Sequence, residues 1–426
     1  MIKVAGGTGG SIPAAKKKRK TRTKKPSRAL PYEKIIRRLS RLRPPYLNLT
    51  LLTAVIGIAL FGLLMVYSAS HYNSQIHHGT KYYYLTSQLI GFVLGIVLLA
   101  AAYLIDYRLY KKWAWAFILG GAVLLVLVFI PGIGISRLGS SRWIGIGGFS
   151  MQPSEIAKFA FVVFAAAVAT TSSSHKRSPF RKGGASQSEA GVFDTRVLTK
   201  KQVALILAAG GSYCALILLE PNLSITLCLG ITMFIMLFLC GARLKHLGIV
   251  AAPALVALPV MLVAEPYRVR RLLAFIDPWA RPKDEGFQLI QSLFGLGNGG
   301  FFGVGYGNST QKHMFLPFAE SDFIFSIIGE ELGFIGCILF IALLGLIVTQ
   351  IFRIGARCPD RFGKYLCYGI ATVIFVQSAV NLAVVTGSIP PTGVPLPFIS
   401  FGGTSLAVCM AAIGIVLNID KSNKRL

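Results

Sequence analysis

Apolar residues along this chain come in long blocks, not in short alternating runs. Leu51–Ser68, Leu85–Ile105, Trp113–Ile130 and Ala204–Leu219 carry almost no charge. A bilayer core takes about 20 apolar residues per helix. Lipid offers no water to backbone N–H and C=O groups, so a helix that bonds within itself is the economical crossing. The blocks lack the alternation that strands of a membrane barrel would show. The pattern predicts spans near 49–69, 84–105, 113–131, 155–170, 202–219, 223–240, 247–264, 323–351, 365–385 and 405–419. The expected fold is an all-α polytopic membrane protein with about ten transmembrane helices.

Composition agrees. Of 426 residues, 54% are hydrophobic and 14% charged, whereas soluble domains carry roughly 25% charged residues. The first apolar block follows a long basic tail, and no small-residue cleavage pattern closes it, so no cleavable signal peptide is expected. The seven cysteines, an odd number mostly inside apolar spans, read as small packing residues and not as a disulfide framework.

Charge orients the chain. With a cytoplasmic N-terminus, ten spans put 1–48, 106–112, 171–201, 241–246, 352–364 and 420–426 inside, and these segments hold 34 of the 44 Lys and Arg residues. That is the bias of the positive-inside rule. Both termini are therefore expected in the cytoplasm. The 49–419 helical domain would carry a large extracytoplasmic loop, 265–322, between helices seven and eight. The 1–48 tail, with its Lys16–Lys20 cluster, reads as a disordered arm drawn to anionic membrane lipids, although such a cluster in isolation also suggests nucleic acid. The 171–201 loop, rich in Ser, Gly and basic residues, reads as a flexible cytoplasmic linker.

Candidate chemistry gathers in three exterior segments, Pro131–Lys158, Glu265–Asp322 and Thr386–Ser405, each longer than a plain connection needs. In the first, Pro153 suits a first helical turn, and Glu155 and Lys158 share a helix face three residues apart. They form either a self-neutralising ion pair or, through Lys158 with Arg142, an anion-binding surface. The second segment has six acids and six bases, which excludes a simple basic stripe and suits a cleft with separate acid and base tasks. Asp322 ends it as either a helix cap or a catalyst. Glu330 and Glu331 follow about 12 Å deeper along the helix, where acids face a partner or water. In the third, Pro390, Pro391, Pro395 and Pro397 prevent a regular helix, which suggests a re-entrant or cavity-lining loop.

Several short motifs, in order, resemble those of the SEDS family, the shape, elongation, division and sporulation proteins of bacteria. They are Val66-Tyr67-Ser68-Ala69-Ser70, Arg142-Trp143-Ile144, Gln152-Pro153-Ser154-Glu155 with Lys158, Gly286-Phe287-Gln288, Leu316-Pro317, Asp322-Phe323-Ile324-Phe325, Gly329-Glu330-Glu331-Leu332-Gly333 and the Pro390–Ser405 run. Within the family, Gly305–Lys312 and Met65 favour the division member, with the elongation and sporulation members as close alternatives. Phe318 stands where the family usually has Glu, and Asn222 and Ser224 where it usually has Asp and Gly. The resemblance implies a ten-helix fold and a peptidoglycan glycosyltransferase that polymerises lipid II, a disaccharide-pentapeptide on undecaprenyl pyrophosphate. It also implies a class B penicillin-binding transpeptidase as partner, with other divisome membrane proteins, at the septal plasma membrane. Asp322 would then be the general base, and Arg142, Lys158 and Lys312 would grip pyrophosphate. Glu155 and Ser400 lie within the same motifs. Gln288 and Gln291 would bond sugar, or else only pack. No metal ligands are assigned, although a divalent cation could share the pyrophosphate. The competing functions are a lipid II flippase and a non-catalytic division scaffold.

Overall fold

The computed structural model describes residues 47–137, 140–146, 149–171, 198–243 and 266–424, with isolated positions between 245 and 263. The basic tail, most of the 171–201 linker and most of the expected seventh span lie outside the described residues.

The elements are α1 (Leu49–His78), α2 (Tyr83–Leu104), α3 (Arg108–Lys112), α4 (Ala114–Leu127), β1 (Gly134–Arg137), β2 (Ser140–Ile146), β3 (Phe149–Met151), α5 (Pro153–Ala169), α6 (Lys200–Leu219), α7 (Leu223–Leu239), α8 (Pro266–Ile276), a 3-10 turn (Pro278–Ala280), α9 (Phe287–Gly299), α10 (Ile324–Arg357), α11 (Arg361–Val385) and α12 (Gly403–Asn423). Six of these, α1, α2, α6, α10, α11 and α12, are long and apolar enough to cross a membrane, and α4 and α7 are shorter apolar helices. The chain is thus a multi-pass membrane protein. Helix α5, with 17 residues and the charges Glu155 and Lys158, is in neither group, yet fifteen of its residues are buried.

Element ends follow local chemistry. Helix α1 runs nine residues past the predicted end, because nothing breaks it before Gly79. That glycine closes it in the left-handed region (φ 70°), after His77 and His78 in the last turn. Asn48 caps its start through Leu51 N–H, and Thr199 with Gln202 forms a capping box on α6.

The all-α expectation needs one correction. The 131–152 segment folds into a three-stranded antiparallel sheet in the order β1-β2-β3, with Ile135 opposite Trp143 and Gly145 opposite Ser150. Ser141–Ile146 reads Ser-Arg-Trp-Ile-Gly-Ile, without strict alternation, and its Trp and Ile residues are the local strand formers, only a few residues between long apolar blocks.

Two ends of the bundle are chemically distinct. At one end, Asn418 takes Tyr107 N–H at 3.0 Å and donates to Tyr103 O at 2.7 Å. Lys111 donates to Thr170 O, Gln202 to Val168 O, and Leu198 N–H to Gly241 O. These contacts draw together the short basic connections that the charge count assigns to one side. The sheet, the α6–α7 turn, α8, α9 and the 300–323 and 386–402 loops form the other end.

Helix α10 is broken at Gly333 (φ 67°, ψ −168°). The glycine-rich segment after α9 fills the gap. Val304 and Gly305 N–H groups bond to Glu330 and Glu331 carbonyls at 2.9 and 3.0 Å, and Phe334 and Ile335 N–H groups bond to Gly300 and Phe301 carbonyls at 2.9 and 3.2 Å. The break therefore leaves these backbone groups satisfied, as membrane depth requires. A Cβ at Gly303 would lie 2.2 Å from Glu331 O, so the close approach needs glycine.

Candidate active site

Asp322 sits two residues before α10. It does not cap the helix, whose N-cap position is Phe323. Its side chain instead faces the proline-rich loop: a Cβ added to Gly393 would lie 3.0 Å from Asp322 Oδ2. Asp322 is half-buried and Gly393 is exposed, so the carboxyl stands at an opening.

Backbone pins hold the acid there. Asn381 of α11, 1% exposed, donates to Asp322 O at 2.8 Å and to Val394 O at 2.7 Å. Both amide hydrogens are thereby used, and a flipped amide would set oxygen against two carbonyls. Ser400 donates to Ser321 O at 2.6 Å and accepts Leu396 N–H at 2.7 Å. Phe401 N–H bonds to Glu320 O at 2.9 Å, and Gln88 of α2 donates to Ser400 O while accepting Gly402 N–H. Four prolines leave this loop few backbone donors of its own, and neighbouring side chains fix its shape.

The electrostatic surroundings are mixed. Burial pushes the Asp322 carboxyl up to about 6 and neighbouring Glu320 pushes it the same way, while Arg271 and Arg142 act to lower it. Glu320 is itself buried and raised by burial, opposed by an Asn73 hydrogen bond and by His77 of α1. Arg142 reaches from β2 to donate to Glu220 O at 3.2 Å and also to Pro221 O. Arg271 of α8 donates to Pro391 O at 3.4 Å. Both arginines are half-buried. All three exterior segments thus converge on Asp322.

The other expected residues lie elsewhere. Lys158 is 1% exposed and bonds to Glu155 at 2.7 Å and Gln377 at 2.8 Å, while Ser405 holds the other Glu155 oxygen at 2.8 Å. Lys312, 2% exposed, pairs with Glu331 at 3.0 Å, and Ser68 donates to the same carboxylate at 2.6 Å. Ser309 and Thr310 hydroxyls donate to Glu330. Glu331 is thus ion-paired with Lys312, whereas Glu330 is held by hydroxyl and backbone N–H donors. Neither lysine ammonium opens onto the Asp322 mouth, because each is enclosed with its own carboxylate partner. Gln288 and Gln291 are half-buried on α9. Gln288 lies one turn before Ser292, which bonds to Val385 O at 2.8 Å and accepts from Ser326 through its own carbonyl at 2.7 Å.

Sequence reasoning missed Arg271, Glu320, Asn381 and Glu220 as members of the site. The polar Asn381 inside an apolar span was the available signal for one of them. Arg271 was hidden by the balanced charges of its loop. Among the described residues, no three His, Cys, Asp or Glu side chains form a metal-holding group.

Fold and site together define a multi-pass helical membrane protein with an acid–arginine mouth at one end of its bundle. The profile of the cell cycle protein family that comprises FtsW, RodA and SpoVE matches residues 48–425, and the chain belongs to that family. It is 38% identical over 378 residues to the probable peptidoglycan glycosyltransferase FtsW of Geobacter sp. (strain M18), a match covering 88% of this chain and 96% of that relative. It is 35% identical over 382 residues to stage V sporulation protein E of Bacillus subtilis (strain 168), covering 88% and 98%. A solved chain described under "Structural coordination of polymerization and crosslinking by a peptidoglycan synthase complex" superposes with a TM-score of 0.68 at 26% identity, covering 89% of this chain and 99% of that one. The Thermus thermophilus rod shape determining protein RodA shares the fold, with a TM-score of 0.60 at 24% identity, covering 88% and 97%.

Proposed function

We propose that the chain is a peptidoglycan glycosyltransferase that polymerises lipid II at the outer face of the bacterial plasma membrane. The observation that carries this reading is the half-buried Asp322 carboxyl at an open mouth, with Arg142 and Arg271 acting on it. Polymerisation joins the 4-hydroxyl of an acceptor sugar to C1 of a donor sugar as lipid pyrophosphate departs. Asp322, as carboxylate, takes the hydroxyl proton during attack. Arg142 and Arg271 stabilise the pyrophosphate leaving group, since guanidinium matches phosphate oxygens in planar pairs. The close relatives named as peptidoglycan glycosyltransferases support this assignment.

In this reading Lys158 and Lys312 serve the framework. Each cancels a buried carboxylate, Glu155 and Glu331 respectively, and each holds neighbouring helices in register. Ten spans with both termini in the cytoplasm put the Asp322 mouth outside, where lipid II headgroups lie. A transpeptidase that crosslinks the new strand is the partner this arrangement calls for, at the division septum. The flippase alternative would draw on the α10 break as a moving hinge, but the break is bridged by four backbone hydrogen bonds.

Purified protein given labelled lipid II in detergent, with and without a transpeptidase partner, tests the assignment. Wild-type protein should build glycan strands without any bilayer to cross. Asp322→Asn should fold, bind lipid II and build none, because the amide has no basic oxygen to accept the proton. Near-normal polymer from Asp322→Asn would remove Asp322 from the chemistry. Lipid II movement across liposomes without polymer would favour the flippase.

A further inference from the structure

One acid at the mouth has no part in the chemistry above. Glu220, at the end of α6, is 1% exposed, and among the described residues neither of its carboxyl oxygens has a hydrogen-bond partner. Arg142 is its immediate neighbour, yet the guanidinium donates to the main-chain carbonyls of Glu220 and Pro221. A buried carboxylate left unpaired is costly, and one beside a guanidinium would be expected to draw it into a charge-assisted pair. Arg142 bonded to two carbonyls beside a bare carboxyl is the arrangement of a neutral acid.

We propose that Glu220 is a positioning residue that works as an uncharged carboxyl, leaving the Arg142 charge directed to Asp322 and to the anionic pyrophosphate bound beside it. Burial, opposed by Arg142, pushes the Glu220 carboxyl up to about 8. Among the described residues Arg142, from β2, is the charged group acting on it. The α7 side contributes Asn222, whose side chain accepts Ile225 N–H. Arg142 in turn also acts on Asp322, so Glu220 and Asp322 share one cation. While Glu220 is neutral, that cation serves the mouth. Once Glu220 ionises, the same guanidinium is drawn toward Glu220 and the mouth loses positive charge.

This inference rests on the glycosyltransferase reading, and its test separates the two. Infrared spectra of substrate-free wild-type and Glu220→Gln protein at pH 7 should differ by one protonated-carboxyl band, present only in the wild type. With lipid II as substrate, the wild-type KM should rise about tenfold as pH passes through 8, because anionic substrate binding weakens. Glu220→Gln, which cannot ionise, should lack that rise. Absence of the infrared band, a parallel KM rise in Glu220→Gln, or a Glu220→Gln protein that misfolds or cannot polymerise would each overturn the proposal. If wild-type protein makes no polymer at any pH, the glycosyltransferase reading fails, and the infrared band alone decides the state of Glu220.

Discussion

Asp322 has to be a carboxylate to accept a proton, and its surroundings set the pH at which it becomes one. Burial and Glu320 raise its titration to about 6 from the usual 3.8, against the pull of Arg271 and Arg142. In the proposed mechanism the charged form is the base, so the sign is fixed: polymerisation at saturating lipid II should climb as pH rises through about 6 and then level off. Removing the Glu320 charge with Glu320→Gln should move that climb to lower pH, since a like charge has gone. Removing a positive neighbour with Arg271→Gln should move it to higher pH and weaken lipid II binding as well. A pH–rate profile of the three proteins checks both directions. A profile unmoved by either substitution would mean that the titrating group is not Asp322. The sequence singled out Asp322 and Arg142 because both belong to local motifs. Arg271 and Glu220 reach the site through tertiary contacts, Glu320 stands two residues from Asp322 in a charge-balanced loop, and Asn381 was marked only as a polar residue inside an apolar span.

At the scale of elements, buried ion pairs away from the mouth bind one element to another. Lys312, in the loop before α10, meets Glu331 of α10 and Ser68 of α1. Lys158 and Glu155 of α5 meet Gln377 of α11 and Ser405 of α12. Their spacing was visible in the sequence, and the i,i+3 geometry of Glu155 and Lys158 correctly predicts their contact. Burial was not visible, because an apolar helix with two charges reads equally as a membrane edge or as a helix wrapped on every side. Helix α5 is the second kind. The same limit hid the break in α10: Gly333 looked like one more glycine in an apolar run until Gly303 was packed against it. A buried pair is weak as a source of stability, but breaking it strands a charge. Lys312→Met should therefore destabilise the protein by about 3–5 kcal/mol. Lys312→Met combined with Glu331→Gln should recover most of that loss, because no bare charge then remains. Thermal unfolding in detergent, followed by helix content, compares the two. If the double variant is as unstable as the single, the Lys312 contribution is packing alone.

On the scale of the whole molecule, one asymmetry organises the rest. The short connections at one end carry Arg108, Lys111, Lys112, Lys200, Lys201, Arg357, Arg361, Lys421 and Lys424. The other end brings its acids and arginines together around a mouth. Long apolar blocks made the helices legible, and the count of basic residues gave an expected sidedness, since both are sums over many positions. The sheet and the broken helix were not legible, because each depends on a few residues and on what packs against them. The sidedness carries a direct consequence for chemistry: a lipid-linked sugar can meet Asp322 only if the sheet end faces outward. The basic end should stay in the cytoplasm, where moving its many cations across the membrane would be unfavourable. Cysteines introduced at exposed Lys283 and exposed Lys112 report on the two ends. In intact cells a membrane-impermeant maleimide should label Lys283→Cys above the level of the unsubstituted protein, and should label Lys112→Cys only after the membrane is opened. The reverse pattern would place Asp322 in the cytoplasm, away from the outer leaflet, and glycan polymerisation at this mouth would then be ruled out on geometry before any rate was measured.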